Sequence, residues 1–269
     1  MSDVVFVIFN YRLGPLGFSN FNDKSLNIPG NVGMKDQQMA MRFARDNIQY
    51  FGGDPDNITL MGHSSGASSV GLHCVAESSR GLFHKAVLMS GSPVGRECDV
   101  IQLNWTKRLA EKMGYEGDLE NDKEVLKFLN EADVLKMAEV GGELATEDEK
   151  NRLGVEMVFA PHKELYETDS AFLLKSPLDL MKNAWSSDID IMIGGTKDEG
   201  MGDADWNYEK FIPIELLRPR EGRKVEELGQ KLRSYYENKY TDQQTAFDKV
   251  RSLVKHKIEI KFNIFTFTV

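Results

Sequence analysis

Four short, mainly apolar runs mark the chain, at residues 4–9 (VVFVIF), 58–61 (ITLM), 86–89 (AVLM) and 189–193 (IDIMI). Each is expected to be a strand, and runs so nearly unbroken in apolar residues belong to strands buried on both faces. Helical text separates them. From Lys35 onward Met41, Ala44, Ile48 and Phe51 recur at helical spacing, and Gly52-Gly53-Asp54-Pro55 ends that helix. A second helix runs through Val75, several short charged ones fill residues 100–144, and others are expected over 177–183, 226–240 and 243–254. Residues 11–33, rich in Gly, Pro and Asn, read as a long loop. Strands alternating with helices predict an α/β fold with a mostly parallel sheet flanked by helices. The last residues, 257–269 (KIEIKFNIFTFTV), alternate apolar and polar positions like an edge strand without an evident partner. Exposed, such a segment would be prone to β-aggregation.

Composition narrows the partners. The formal net charge is −9 and no Lys/Arg run occurs, so nucleic acid and anionic membrane surfaces are not expected partners. No stretch reaches the roughly 20 apolar residues that cross a bilayer. Asp3 stands where a signal peptide would be basic, so the first residues do not resemble one. Any signal peptide would lie upstream of Met1, which leaves the compartment open with a cytoplasmic setting slightly favoured. Cys74 and Cys98 do not fix a compartment, and Cys74, in an apolar helical stretch, reads as a buried free thiol. The sequons at Asn57 and Asn104 fall at the start of a strand and a helix and read as structural.

The chemistry centres on Gly62-His63-Ser64-Ser65-Gly66. An apolar strand enters this Gly-x-Ser-x-Gly pattern and a small-residue helix leaves it, which is the layout of a nucleophile elbow with Ser64 at its apex. Gly62 and Gly66 would spare neighbouring strand and helix from side-chain collisions. The backbone N–H of Ser65, at the helix start, is the expected oxyanion donor. An acid should follow in a loop after a later strand. Asp198 and Glu199, just beyond Gly195, both qualify on spacing. The base is harder to find among His63, His73, His84, His162 and His256. His63 adjoins Ser64 and points away from it on a sharp turn. His73, His84 and His162 precede the acid, and His256 lies in a basic stretch that reads as solvated surface.

Beyond the elbow, several motifs occur in one order: Asn10-Tyr11-Arg12-Leu13-Gly14-Pro15-Leu16-Gly17-Phe18, Gly30-Asn31-Val32-Gly33-Met34-Lys35-Asp36-Gln37, Phe51-Gly52-Gly53-Asp54-Pro55 and Lys197-Asp198-Glu199-Gly200. Together they resemble the type-B carboxylesterases, the cholinesterase/carboxylesterase branch of the α/β-hydrolase fold. His63 and the stretch WSSDIDIMIGG (185–195) look most like insect α-esterases, whereas cholinesterases carry a glutamate at the position of His63. The resemblance implies a partial α/β-hydrolase domain over residues 1–256 and a tail outside the family pattern over 257–269. It implies Ser64 as nucleophile, Glu199 rather than Asp198 as the triad acid, and a small-molecule carboxylic ester as substrate, with no cofactor and no metal.

Two family features have no counterpart here. The resemblance implies a His-Gly-Gly stretch ahead of residues 4–9, supplying most of the oxyanion hole, and a Gly-x-x-His motif carrying the base further on. The chain thus resembles the middle half of an esterase, and an open apolar sheet edge with reduced stability is expected. Two functions follow from the resemblance: a serine carboxylesterase of which this stretch alone has little activity, or a non-catalytic, esterase-like binding or adhesion module.

Overall fold

The computed structural model describes residues 4–153, 157–196, 225–239 and 264–268. Four strands form one sheet in the order β1 (Thr59–His63), β2 (Lys85–Met89), β3 (Asp190–Gly195) and β4 (Ile264–Thr268), all parallel. Leu60, Ala86, Ile191 and Ile264 lie abreast in register. Nine helices are described: α1 (Gly14–Phe18), α2 (Val32–Asn47), α3 (Ser65–Val75), α4 (Trp105–Lys112), α5 (Asp122–Glu131), α6 (Val134–Gly142), α7 (Glu147–Leu153), α8 (Pro177–Met181) and α9 (Val225–Lys239). The expected tail strand therefore exists at 264–268 and has a partner, the edge of β3. The helix expected over 243–254 lies outside the described residues.

The pivotal element is α3, which packs on β1 and β2 and is buried from Val70 through Val75. One face sends Ala67, Val70 and Cys74 into a core with Leu82, Phe83, Ala86, Leu88, Trp185 and Ile191 of the sheet side. Its other face sends Leu72 and Val75 into a larger core with Phe18, Met34, Trp105, Leu109, Val125 and Leu173. A helix held between two cores has little freedom to tilt. Each fully buried Val or Leu contributes about 1.5–3 kcal/mol relative to exposure.

Three expectations need correcting. Residues 4–9 form no strand: Phe6 is 74 % and Ile8 93 % exposed, and the segment pairs with nothing in the sheet. An apolar run becomes a strand only where a neighbour supplies ladder hydrogen bonds. The sheet is also covered on one face rather than two among the described residues. Leu60, Ala86, Leu88 and Ile191 face α3, whereas Met61 and Met192 on the opposite face are 53 % and 43 % exposed. Finally, α2 starts three residues before Lys35 and buries Met34, Gln37, Gln38 and Met41, leaving Phe51 exposed in the 3-10 turn that follows. The two glutamines hid that face from an apolar-period reading because their burial is met by hydrogen bonds. Gln37 Oε1 accepts from His73 Nε2 (2.8 Å), and Gln38 Nε2 donates to Ser79 Oγ (2.9 Å).

The loop expected over 11–33 contains the short helix α1, begun by Gly14-Pro15. Arg12, just ahead of it, grips Asp36 of α2 with both ends of its guanidinium (Nε–Oδ2 2.7 Å, Nη2–Oδ1 2.6 Å). That hydrogen-bonded pair lowers the Asp36 carboxyl below its ordinary range. Two of the sequence motifs thus act as a clamp between α1 and α2.

Candidate active site

Parallel strands place ligands at their carboxyl ends, and the described candidates Ser64 and Ser65 lie there. β1 ends at His63, and Ser64 follows with φ 56° and ψ −121°, a left-handed backbone that non-glycine residues rarely adopt. The turn is locked on both sides. Ser64 N donates to Met89 O of β2 (2.8 Å), and Ser64 O accepts from Ser68 N within α3 (3.0 Å). Strain held by surrounding contacts of this kind is common where a side chain must be presented to a ligand. Ser64 is exposed, at the mouth of the structure rather than within it.

The two elbow glycines have different reasons for being there. A Cβ on Gly62 would run into the Gly66 carbonyl and Ala67 N, so only hydrogen fits. A Cβ on Gly66 would meet no described atom within 4 Å, contrary to the expected collision. A third glycine is needed from the neighbouring turn. A Cβ on Gly91, after β2, would strike Ser64 O, so the 90–93 turn presses directly on the elbow.

Ser65 opens α3, an eleven-residue helix whose first N–H groups point outward at Ser64. The helix end carries partial positive charge and suits an oxyanion forming on a group attacked by Ser64. The adjacent strands end in step: His63 lies beside Met89, Met89 beside Gly194, and Ser90 N donates to Gly194 O (2.7 Å). The loop leaving β3 after Gly195 therefore departs from the same edge as Ser64. Asp198 and Glu199, like His256, lie outside the described residues.

The described histidines are held elsewhere. His63, in register with Met89, lies on the open face of the sheet, away from α3. His73 is buried, with Nδ1 accepting from Ser79 Oγ (2.9 Å), and burial pulls its pKa down to about 3. His84 Nδ1 accepts from Ile58 N (3.1 Å). His162 is buried, bonded to Ala160 O and Asn20 Nδ2, and its pKa falls to about 4, mainly through burial. Both buried rings are neutral structural pieces. Asn31, from the second sequence motif, grips the His162 backbone from both sides (Nδ2–O 2.7 Å, N–Oδ1 3.1 Å).

Both cysteines are buried and free, as expected for Cys74. Among the described residues no group of His, Cys, Asp or Glu could hold a metal ion, and no helix is long and apolar enough to cross a membrane.

A cavity of about 520 Å³ opens beside Ser65, walled by Tyr11, Phe18, Leu72 and Phe159, with Glu97 on its lining. Its size suits a drug-sized or substrate-sized ligand. Glu97 comes from the turn after β2, and its Oε1 accepts from Ser68 Oγ (2.9 Å). Sequence reasoning missed this residue. Its signal was position: an acid in the loop that follows a parallel strand, at the edge where Ser64 sits.

Comparison with known proteins agrees with this geometry. The family model described as Carboxylesterase family matches residues 1–263. Esterase B1 of Culex pipiens is 39 % identical over 199 residues, spanning 74 % of this chain and 36 % of that protein. Juvenile hormone esterase of Tribolium castaneum is 35 % identical over 206 residues, spanning 74 % of this chain and 34 % of its own length. Venom carboxylesterase-6 of Apis mellifera is 28 % identical over 97 % of this chain and 48 % of itself. The chain thus spans about a third to a half of these relatives. The crystal structure of juvenile hormone esterase from Manduca sexta, with OTFP covalently attached, superposes with a TM-score of 0.73 at 21 % identity, covering 97 % of this chain and 52 % of that one. The fold is that of an α/β-hydrolase, and the chain belongs to the carboxylesterase family.

Proposed function

We propose that this protein hydrolyses small-molecule carboxylic esters through an acyl-enzyme on Ser64. The observation that carries the reading is the elbow itself: Ser64 sits in a left-handed turn at the carboxyl end of β1, against the first turn of α3. In this reading Ser64 Oγ attacks the ester carbonyl and gives up its proton to a histidine base. The oxyanion accepts a hydrogen bond from Ser65 N–H, and the alcohol leaves with the proton from the base. Water then repeats the sequence on the acyl-enzyme, returning the acid and free Ser64. Glu199 is the residue proposed to orient the base.

The same reading gives this 269-residue stretch, taken alone, little turnover. His73, His84 and His162 are bonded into the fold, and His63 lies on the far face of the sheet. Losing one member of a triad typically costs about 10⁴-fold in rate. That observation also keeps a second reading in view, an esterase-like module that binds without turnover. The test is hydrolysis of p-nitrophenyl acetate by the chain and by Ser64→Ala. The reading expects slow release that disappears in Ser64→Ala. Release that is unchanged in Ser64→Ala overturns the nucleophile assignment, and fast Ser64-dependent turnover overturns the low activity of this stretch.

A further inference from the structure

The cavity beside the elbow is lined mainly by apolar residues, with Ser65, Ser68, Ser69 and Glu97 also on its lining. Its walls are Tyr11, Phe18, Leu72 and Phe159, and among the described residues lining it Glu97 alone carries a formal charge. A carboxylate on the lining of a largely apolar cavity loses hydration unless something offsets the loss. One hydrogen bond from Ser68 Oγ reaches Oε1 (2.9 Å) and fixes the side chain. The carboxylate also folds back over Gly95, where a Cβ would collide with both of its oxygens. A glycine at 95 is thus what lets the acid reach this position. The neighbouring Cys98 thiol, buried beside it, is pushed well above its ordinary range by burial and by the Glu97 charge.

A largely apolar pocket with a fixed anion on its lining is complementary to a ligand arm with an apolar body and a cationic, N–H-bearing tip. We infer that Glu97 makes this cavity a selective site for an ester arm ending in a protonated primary amine, with the carboxylate accepting N–H hydrogen bonds from it. Charge-assisted bonds of this type are the strong class of hydrogen bond. The inference rests on the proposal that esters are hydrolysed at Ser64, because that is what brings an ester arm into the adjoining cavity. Glu97 acts on selection of the ligand and not on the reacting carbonyl.

The test is a binding measurement on the chain, which does not depend on turnover. Phenethylammonium and its neutral counterpart 2-phenylethanol are titrated by calorimetry or ligand-observed NMR near neutral pH. At low salt the chain is expected to bind the ammonium about tenfold more tightly than the alcohol. Added salt should shrink that ratio while leaving alcohol binding in place. Glu97→Gln, nearly isosteric, should bring the ratio close to one with alcohol binding retained, and Ser64→Ala should leave the ratio unchanged. Equal binding of the two probes by the unaltered chain overturns the inference, whatever the variants do, and so does a preference that survives in Glu97→Gln. A preference that holds while Ser64 proves inert in ester hydrolysis removes the functional reading and leaves the ligand site standing. A lost preference with intact Ser64 chemistry removes this inference alone.

Discussion

Residues 4–9 and the run 58–61 are both short, mainly apolar runs with a strand's pattern, and they have opposite fates. The second is β1: its residues pair with β2, its inward side chains meet α3, and it delivers Ser64 to the sheet edge. The first lies outside the sheet with Phe6 and Ile8 mostly in solvent. Apolarity and branching alone did not separate them. What separates them is the presence of a neighbour: backbone N–H and C=O groups need ladder partners before an apolar run gains anything by extending. The lesson extends to the functional site, because the elbow is held by β2 and the 90–93 turn as much as by its own five residues.

The largest expected effect probes that contrast directly. Leu88→Ala, in the core under β2, should lower unfolding free energy by about 2–5 kcal/mol. Ile8→Ser, in the exposed segment, should change it by less than about 0.5 kcal/mol. Urea melts of the two variants decide the matter, and a comparable loss in both would mean that residues 4–9 are packed after all.

Acid should act on the packed region through its buried histidines. His73 and His162 have folded pKa values of about 3 and about 4, against roughly 6.5 in an unfolded chain. Between pH 6.5 and 4 the unfolded chain therefore binds protons that the folded chain does not, and stability falls as pH falls. The expected slope is about 1.4 kcal/mol per pH unit for each histidine, absent above pH 7. Denaturant melts across this range should show it, and His73→Gln should reduce the slope by one proton's worth. A flat profile from pH 7 to 5 would contradict the buried, neutral state of these rings.

A smaller effect separates the two glycines of the elbow. Gly62→Ala sets a Cβ against the Gly66 carbonyl and should cost about 1–3 kcal/mol. Gly66→Ala enters open space inside a helix and should be neutral or stabilising by up to about 1 kcal/mol. Equal losses in thermal or urea melts would mean that the turn needs both glycines for packing.

Much of this architecture is legible in the residues. The strand–turn–helix at 58–75 and the strands at 86–89 and 189–193 follow from apolar runs bounded by glycine turns, and α3 lies where the small-residue stretch predicts it. Legibility fails where polar groups do core work. Gln37, Gln38, His73 and Asn31 are buried with their hydrogen bonds met inside the fold, the first three around His73 and Ser79 and Asn31 on His162, and no hydrophobic period announces them. It fails again at residues 4–9, where a local signal needs a distant partner. The turn at Ser64 was readable because its residues form a contiguous pattern. Glu97 was not, since its proximity to Ser65 and Ser68 is created by β1 and β2 lying side by side.

The central claim is that the elbow presents Ser64 as a nucleophile, and covalent labelling tests it most directly. The folded chain is incubated for hours with a fluorophosphonate, digested and mapped by mass spectrometry. The account expects a single adduct, on Ser64, formed slowly and lost in Ser64→Ala or when the chain is unfolded first. Adducts scattered over other serines and lysines, or labelling that persists in Ser64→Ala, would contradict it.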